Sequence, residues 1–210
     1  IENTIKYISK IHGEDDMYLT GDYQILAEAY MRQGLLGKAD QILNHAFFIL
    51  NSNDYTNFEY EYFELLYTLA ELYIAQKLDE KAYKSFEEIS DYFENSDRGF
   101  PLLEGYTYFY LADYFIHKRD LVRAEELITE AEIILQPYKT LSFYHEGFTE
   151  IKIDLLYLLK DSSKLNSFLD DYRNYFEGSK GELNKNQSSL LNYKYLISKY
   201  DYMNNNPQKC

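Results

Sequence analysis

Apolar residues recur along this chain at intervals of three and four, the spacing of one face of a helix. Within residues 23–46, Tyr23, Leu26, Ala27 and Tyr30 form one stripe and Ala39, Leu43 and Ala46 a second, with a hinge at Gly34. Each stripe alternates large and small side chains, which lets two antiparallel helices interlock where the small residues admit a neighbour. The same order returns as Leu66, Leu69, Ala70 and Tyr73, followed by Ala82 and Phe86. It returns again as Tyr108, Leu111, Ala112 and Phe115, followed by Ala124, Ile128 and Ala131. The small residue that opens each second helix stands at Ala39, Ala82 and Ala124, in steps of 43 and 42 residues. A fixed period of this length is the mark of stacked helical hairpins, each burying its apolar face on the next.

The period divides the chain. Residues 1–19 read as the end of a preceding repeat helix, striped by Ile1, Ile5, Ile8 and Ile11, and a loop. The chain thus opens inside a helix whose partner is expected upstream, and its first residue, Ile rather than Met, suggests a processed product or an excised domain. Residues 20–54 form the first repeat, with Thr20 or Asp22 as cap, a helix to about residue 33 and a partner over 35–50. Residues 55–97 form the second, with helices over 58–76 and 79–93; residues 98–138 form the third, stopped by Pro137. A further step of 42 reaches a degenerate fourth copy over 139–179, with Ile153, Asp154 and Tyr157 in first-helix slots and a second helix over 162–176. A capping helix over 180–203 and a flexible tail over 204–210 complete an all-α chain of about ten helices.

Composition narrows the function. There are 24 Tyr and 13 Phe but no Trp, and Tyr suits half-buried positions because its ring packs while its hydroxyl stays wet. A net charge of −14 argues against direct binding of nucleic acid, which needs clustered Lys and Arg to displace counterions. It argues equally against anionic membrane surfaces, and the densest apolar run, 155–159, is far too short to span a bilayer. One cysteine, Cys210, allows no internal disulfide, and no signal peptide opens the chain, so a cytoplasmic setting is expected. No pair among His12, His45, His117 and His145 has the spacing of a helical metal site, and there is no phosphate-binding glycine loop. His145 beside Glu146 lacks anything to complete an acid–base site, and His117 is explained by a helix C-terminus. The expectation is a non-catalytic chain with no metal and no cofactor.

These stripes resemble the tetratricopeptide repeat, whose first helix carries a large residue, Leu, a small residue and Tyr, and whose second carries Ala, a large residue and Ala. The first copy matches at Tyr23, Leu26, Ala27, Tyr30, Gly34, Ala39, Leu43 and Ala46. The second departs from the pattern with Ile89 in a small-residue slot. The repeat is also longer than the usual 34 residues. In this it is similar to arrays in bacterial signalling proteins, such as peptide-pheromone receptors that join a helix-turn-helix to such repeats. The resemblance implies a right-handed superhelical solenoid of antiparallel helix pairs. It further implies the sensing or scaffolding part of a larger signalling or transcription-regulatory protein, which binds a peptide or protein partner. A structural scaffold that forms a homodimer and leaves its groove empty is the alternative.

The resemblance also implies where a ligand would lie. In that family the groove is lined by first-helix residues between the packing positions, which here are Gln24, Glu28 and Arg32, then Tyr67 and Glu71, then Phe109, Asp113 and His117. One slot is acidic in all three copies, at Glu28, Glu71 and Asp113, and an aromatic precedes it at Tyr67 and Phe109. Such a row favours a basic or apolar peptide. An acid-rich chain also offers such a row as ordinary solvated surface. It does not resemble the basic clamp that some relatives use for a terminal carboxylate, to which only Arg32 would contribute.

Overall fold

The computed structural model describes residues 6, 10, 13, 15–52, 58–96, 99–138, 142–178, 194–196 and 198. Most of the helix expected over 1–11, most of the capping helix over 180–203 and the whole tail over 204–210 lie outside the described residues. Among the described residues there are eight α-helices and no strand. They are α1 (Thr20–Arg32), α2 (Leu36–Ser52), α3 (Glu59–Ala75), α4 (Asp79–Asn95), α5 (Pro101–His117), α6 (Leu121–Leu135), α7 (Ser142–Leu158) and α8 (Ser162–Gly178). None is long and apolar enough to cross a membrane. The chain divides into two compact units, Ile1–Leu111 and Ala112–Cys210, with the boundary inside α5.

In the first unit α1 packs on α2, α2 on α3 and α3 on α4, while α1 also reaches α3. The pairs are antiparallel. Tyr23 near the start of α1 meets His45 in the second half of α2, with ring centroids 5.0 Å apart. Glu59 at the start of α3 accepts a hydrogen bond from the Tyr92 hydroxyl near the end of α4 (2.9 Å). Most of the packing positions expected from the period are buried: Tyr23, Leu26, Ala27, Ala39, Leu43 and Ala46 in the first hairpin, and Leu66, Ala70, Ala82, Phe86 and Ile89 in the second, whereas Tyr30, Leu69 and Tyr73 are half-buried. Full burial of the alanines explains the stripe. A side chain of one carbon lets the facing helix approach, and the neighbouring Leu or Phe fills the space beside it.

Each hairpin turns in the same way. Gly34, Lys77, Arg119 and Lys160 all have left-handed backbones, with φ of 73°, 61°, 65° and 57°. The residue after each donates its N–H back across the turn: Leu35 to the Tyr30 carbonyl (2.9 Å), Leu78 to Tyr73 (2.8 Å), Asp120 to Phe115 (3.0 Å) and Asp161 to Leu156 (3.1 Å). This closing bond satisfies one of the carbonyls a helix leaves unpaired at its end. Four residues past each left-handed position stands a cation, at Lys38, Lys81, Arg123 and Lys164. The first three lie over the ring that ends the first helix, at 5.2 Å from Tyr30, 5.3 Å from Tyr73 and 5.9 Å from Phe115. In the fourth turn Leu156 replaces the ring, and Lys164 pairs with Glu125 (3.2 Å) instead. Only the first turn uses glycine. A side chain in this conformation carries strain of about 1–2 kcal/mol, part of which glycine loses again to chain entropy. Lys77→Gly is therefore expected to raise stability by roughly 0.5–1 kcal/mol, and Gly34→Ala to lower it by a similar amount, in urea unfolding.

The turns correct the fourth copy. Its left-handed residue follows the third by 41 residues, so each slot lies one position earlier than a step of 42 places it. Ile153 then occupies the small-residue slot of α7 and Leu156 the ring slot, both buried, whereas Asp154 and Tyr157 are half-buried. Leu165, Leu169 and Tyr172 fill the second-helix slots. The copy is faint in sequence because large residues replace all three small ones. In this second unit α7 packs on α6 and α8, and Leu196 of a helical segment joins their core with Ile153 and Leu169. The half-buried Lys152 pairs with Glu132 and lies 4.8 Å over the Phe168 ring.

The start of α1 also differs from expectation. Leu19 holds the N-cap position, so neither Thr20 nor Asp22 caps the helix. Thr20 instead donates its hydroxyl to the Met17 carbonyl (2.7 Å), and Asp16 accepts from the Tyr18 N–H (2.9 Å) in the 3-10 turn Met17–Leu19. Asp22 sits in the first turn of α1, where a negative charge suits the helix dipole.

Candidate functional site

The first helices of successive hairpins run side by side in the first unit. The Gln24 amide of α1 donates to the Glu64 carboxylate (3.2 Å) and the Thr68 hydroxyl (3.1 Å) of α3. Thr68 in turn donates to the Glu64 carbonyl (3.0 Å). Further along, Tyr67 meets Tyr110 of α5 with ring centroids 5.7 Å apart, and before them Tyr60 meets Phe100 at 5.0 Å. The three helix segments are thus parallel neighbours, and their shared face carries two open cavities. One, of about 370 Å³, lies among Glu28, Met31, Arg32, Glu71, Ile74 and Tyr110. The other, of about 290 Å³, lies among Gln24, Tyr60, Glu64, Tyr67, Leu102 and Tyr106. Glu28 and Glu71 line both, so the two form one groove.

Glu71 is the centre of this groove. It accepts a hydrogen bond from the Tyr110 hydroxyl (3.2 Å). Burial pushes its carboxyl up to about 7, and the charges of Glu28 and Glu64 add to the rise. The Tyr110 bond and the charge of Arg32 work the other way without cancelling it. Tyr110 is held by a parallel stack on Phe86, with centroids 5.0 Å apart and planes 5° apart. Tyr67 has its hydroxyl pushed well above the usual tyrosine range, first by burial and then by Tyr110 and Glu71. At the groove mouth Arg32 donates to Glu28 (3.2 Å), an i,i+4 pair in which the arginine is largely exposed. Tyr60 is pushed up to about 12 by burial, and also by its bond to Glu64 and the charges nearby.

Comparison with protein-family models, curated proteins and solved structures finds no match to this chain.

Five of the eight residues expected in the groove meet there: Gln24, Glu28, Arg32, Tyr67 and Glu71. Gln24 serves mainly to tie α1 to α3 through its two hydrogen bonds. Phe109 does not meet them. It is 2% exposed, a core residue, and Tyr110 beside it takes the groove position. Asp113 and His117 belong to the second unit, where His117 Nδ1 lies 2.8 Å from the Asp113 carbonyl oxygen and 3.6 Å from its carboxylate. His117 is the last residue of α5, where a cation suits the dipole. The groove residues that sequence reasoning missed are Tyr60, Glu64, Tyr106 and Tyr110, with the apolar rim of Met31, Ile74 and Leu102. One signal was available: Glu64 and Tyr106 stand at the same distance, six residues, before the small residues Ala70 and Ala112.

Proposed function

We propose that the groove of the first unit binds a peptide or protein partner that offers it basic or apolar side chains. In this reading the chain is a tetratricopeptide-like recognition module of a larger bacterial signalling or transcription-regulatory protein, and does no chemistry itself. The observation that carries it is the continuous groove on α1, α3 and the start of α5, where carboxylates alternate with tyrosines. Three exposed apolar residues, Tyr60, Ile74 and Leu102, lie on its rim, where an apolar side chain would cover them. Carboxylates at Glu28, Glu64 and Glu71 supply the attraction for a cation and repel an acidic partner.

Fluorescence anisotropy of labelled basic, aromatic and acidic peptides at low and physiological salt tests this. Basic or aromatic peptides are expected to bind, more weakly as salt rises, and Glu28→Lys with Glu71→Lys is expected to weaken them at least tenfold. Equal binding of acidic peptides, or no binding of any set, would overturn the reading. A second reading, a homodimeric scaffold, is supported by Phe48 on α2, a large ring 59% exposed away from the groove. It requires a dimer in light scattering that Phe48→Ser dissociates and Glu71→Lys does not.

A further inference from the structure

We infer that the larger cavity of the groove is a socket for a single alkylammonium group, the end of a lysine side chain. This names which side chain of the partner the cavity takes, and so rests on the groove reading above. Size comes first. At about 370 Å³ the cavity is near the small end of ligand pockets, suited to one long side chain and the water around it. Part of its wall is apolar, made by Met31 from α1 and by Ile74 and Ala75 from α3, and matches the methylene stem of a lysine.

The charged end is equally defined. Glu28 is compensated by Arg32 at 3.2 Å, and Glu71 adds one further negative charge, so the three formal charges sum to that of one anion. A single cation brings the cavity to neutrality. Glu71 is also held in place. Tyr110 donates to its Oε1, and Tyr110 itself is fixed between Phe86 and Tyr67. Because Tyr110 already engages Oε1, a guanidinium would have to share that oxygen to make its usual two-oxygen fork. A compact ammonium needs no such fork. Glu71 is mostly withdrawn from water, which strengthens its attraction for a charge brought beside it.

Entry of a cation displaces the proton that burial keeps on Glu71 up to about pH 7, so binding strengthens as pH rises through that value. The groups that face Glu71 are Glu28 and Arg32 from α1, Glu64 and Tyr67 on its own helix and Tyr110 from α5.

The test is a titration of the whole chain with n-butylammonium and, separately, n-butanol, followed by the methyl resonances of Met31 and Ile74 at pH 6 and pH 8. Butylammonium is expected to shift both resonances, at least tenfold more tightly at pH 8 than for Glu71→Gln, and butanol to leave them unmoved. Far-ultraviolet circular dichroism confirms that the variant is folded. Equal shifts from butanol, or equal affinity in Glu71→Gln, would overturn the socket. If basic peptides still bind in the anisotropy screen, the groove reading then survives alone. Conversely, butylammonium binding without any peptide binding leaves a cation site on this face but removes the groove reading, and with it the assignment of the socket to a partner's lysine.

Discussion

Glu71→Gln is expected to stabilise the fold by about 3 kcal/mol at pH 8 and by less than about 1 kcal/mol at pH 5. The carboxyl has an ordinary value of 4.5 in the unfolded chain and is raised to about 7 in the fold. Between those values the folded chain holds a proton that the unfolded chain has lost, so stability falls as pH rises through that window. Above it the folded chain must carry a largely buried charge beside Glu28 and Glu64. Glutamine removes that charge and still accepts the Tyr110 hydrogen bond through its amide oxygen. Urea unfolding at the two pH values reads the difference directly. Equal stabilisation at pH 5 and pH 8 would contradict the assignment, since a gain from packing alone does not follow a titration. A fold that keeps such a charge on its groove face gives up stability there, as binding surfaces commonly do.

Phe109→Ala is expected to destabilise the fold by about 3–5 kcal/mol, the usual loss when a large aromatic leaves a packed core. The ring is 2% exposed, so its removal leaves a void that neighbours fill only in part. A groove residue in contact with water gives a loss near or below 1 kcal/mol, as is normal for surface substitutions. Chemical denaturation of the variant therefore decides between core and groove. A loss under about 1 kcal/mol would return Phe109 to the groove.

The hairpins were legible because their signal is repeated. Ala27, Ala39 and Ala46 are ordinary residues singly, but the same order at Ala70 and Ala82, and again at Ala112, Ala124 and Ala131, reports one packing solution used several times. The turns were less legible. Gly34 announces a left-handed backbone, while Lys77, Arg119 and Lys160 adopt the same conformation with no sign in their residue type. Without those markers the shorter last step could not be read, and Asp154 and Tyr157 were placed one residue off. The groove was legible only in part, for a related reason. Periodicity gives the face of a helix, but whether a ring on that face is covered depends on the helices beside it. Phe109 and Tyr110 are adjacent and both aromatic. One is buried, and the other turns its hydroxyl to Glu71. The raised carboxyl of Glu71 was likewise invisible, because it arises first from burial among helices brought together by the fold, with the charges of Glu28 and Glu64 adding to it.

In the proposed reading a ligand lies along α1, α3 and the start of α5. The most direct measurement is photo-cross-linking of a basic, benzophenone-bearing peptide to the whole chain, with the sites mapped by mass spectrometry. Adducts at Met31, Ile74 and Tyr106, lost on competition with the unlabelled peptide, are the expected result. Adducts centred on Phe48 of α2 or Val122 of α6, with the groove unlabelled, would contradict it.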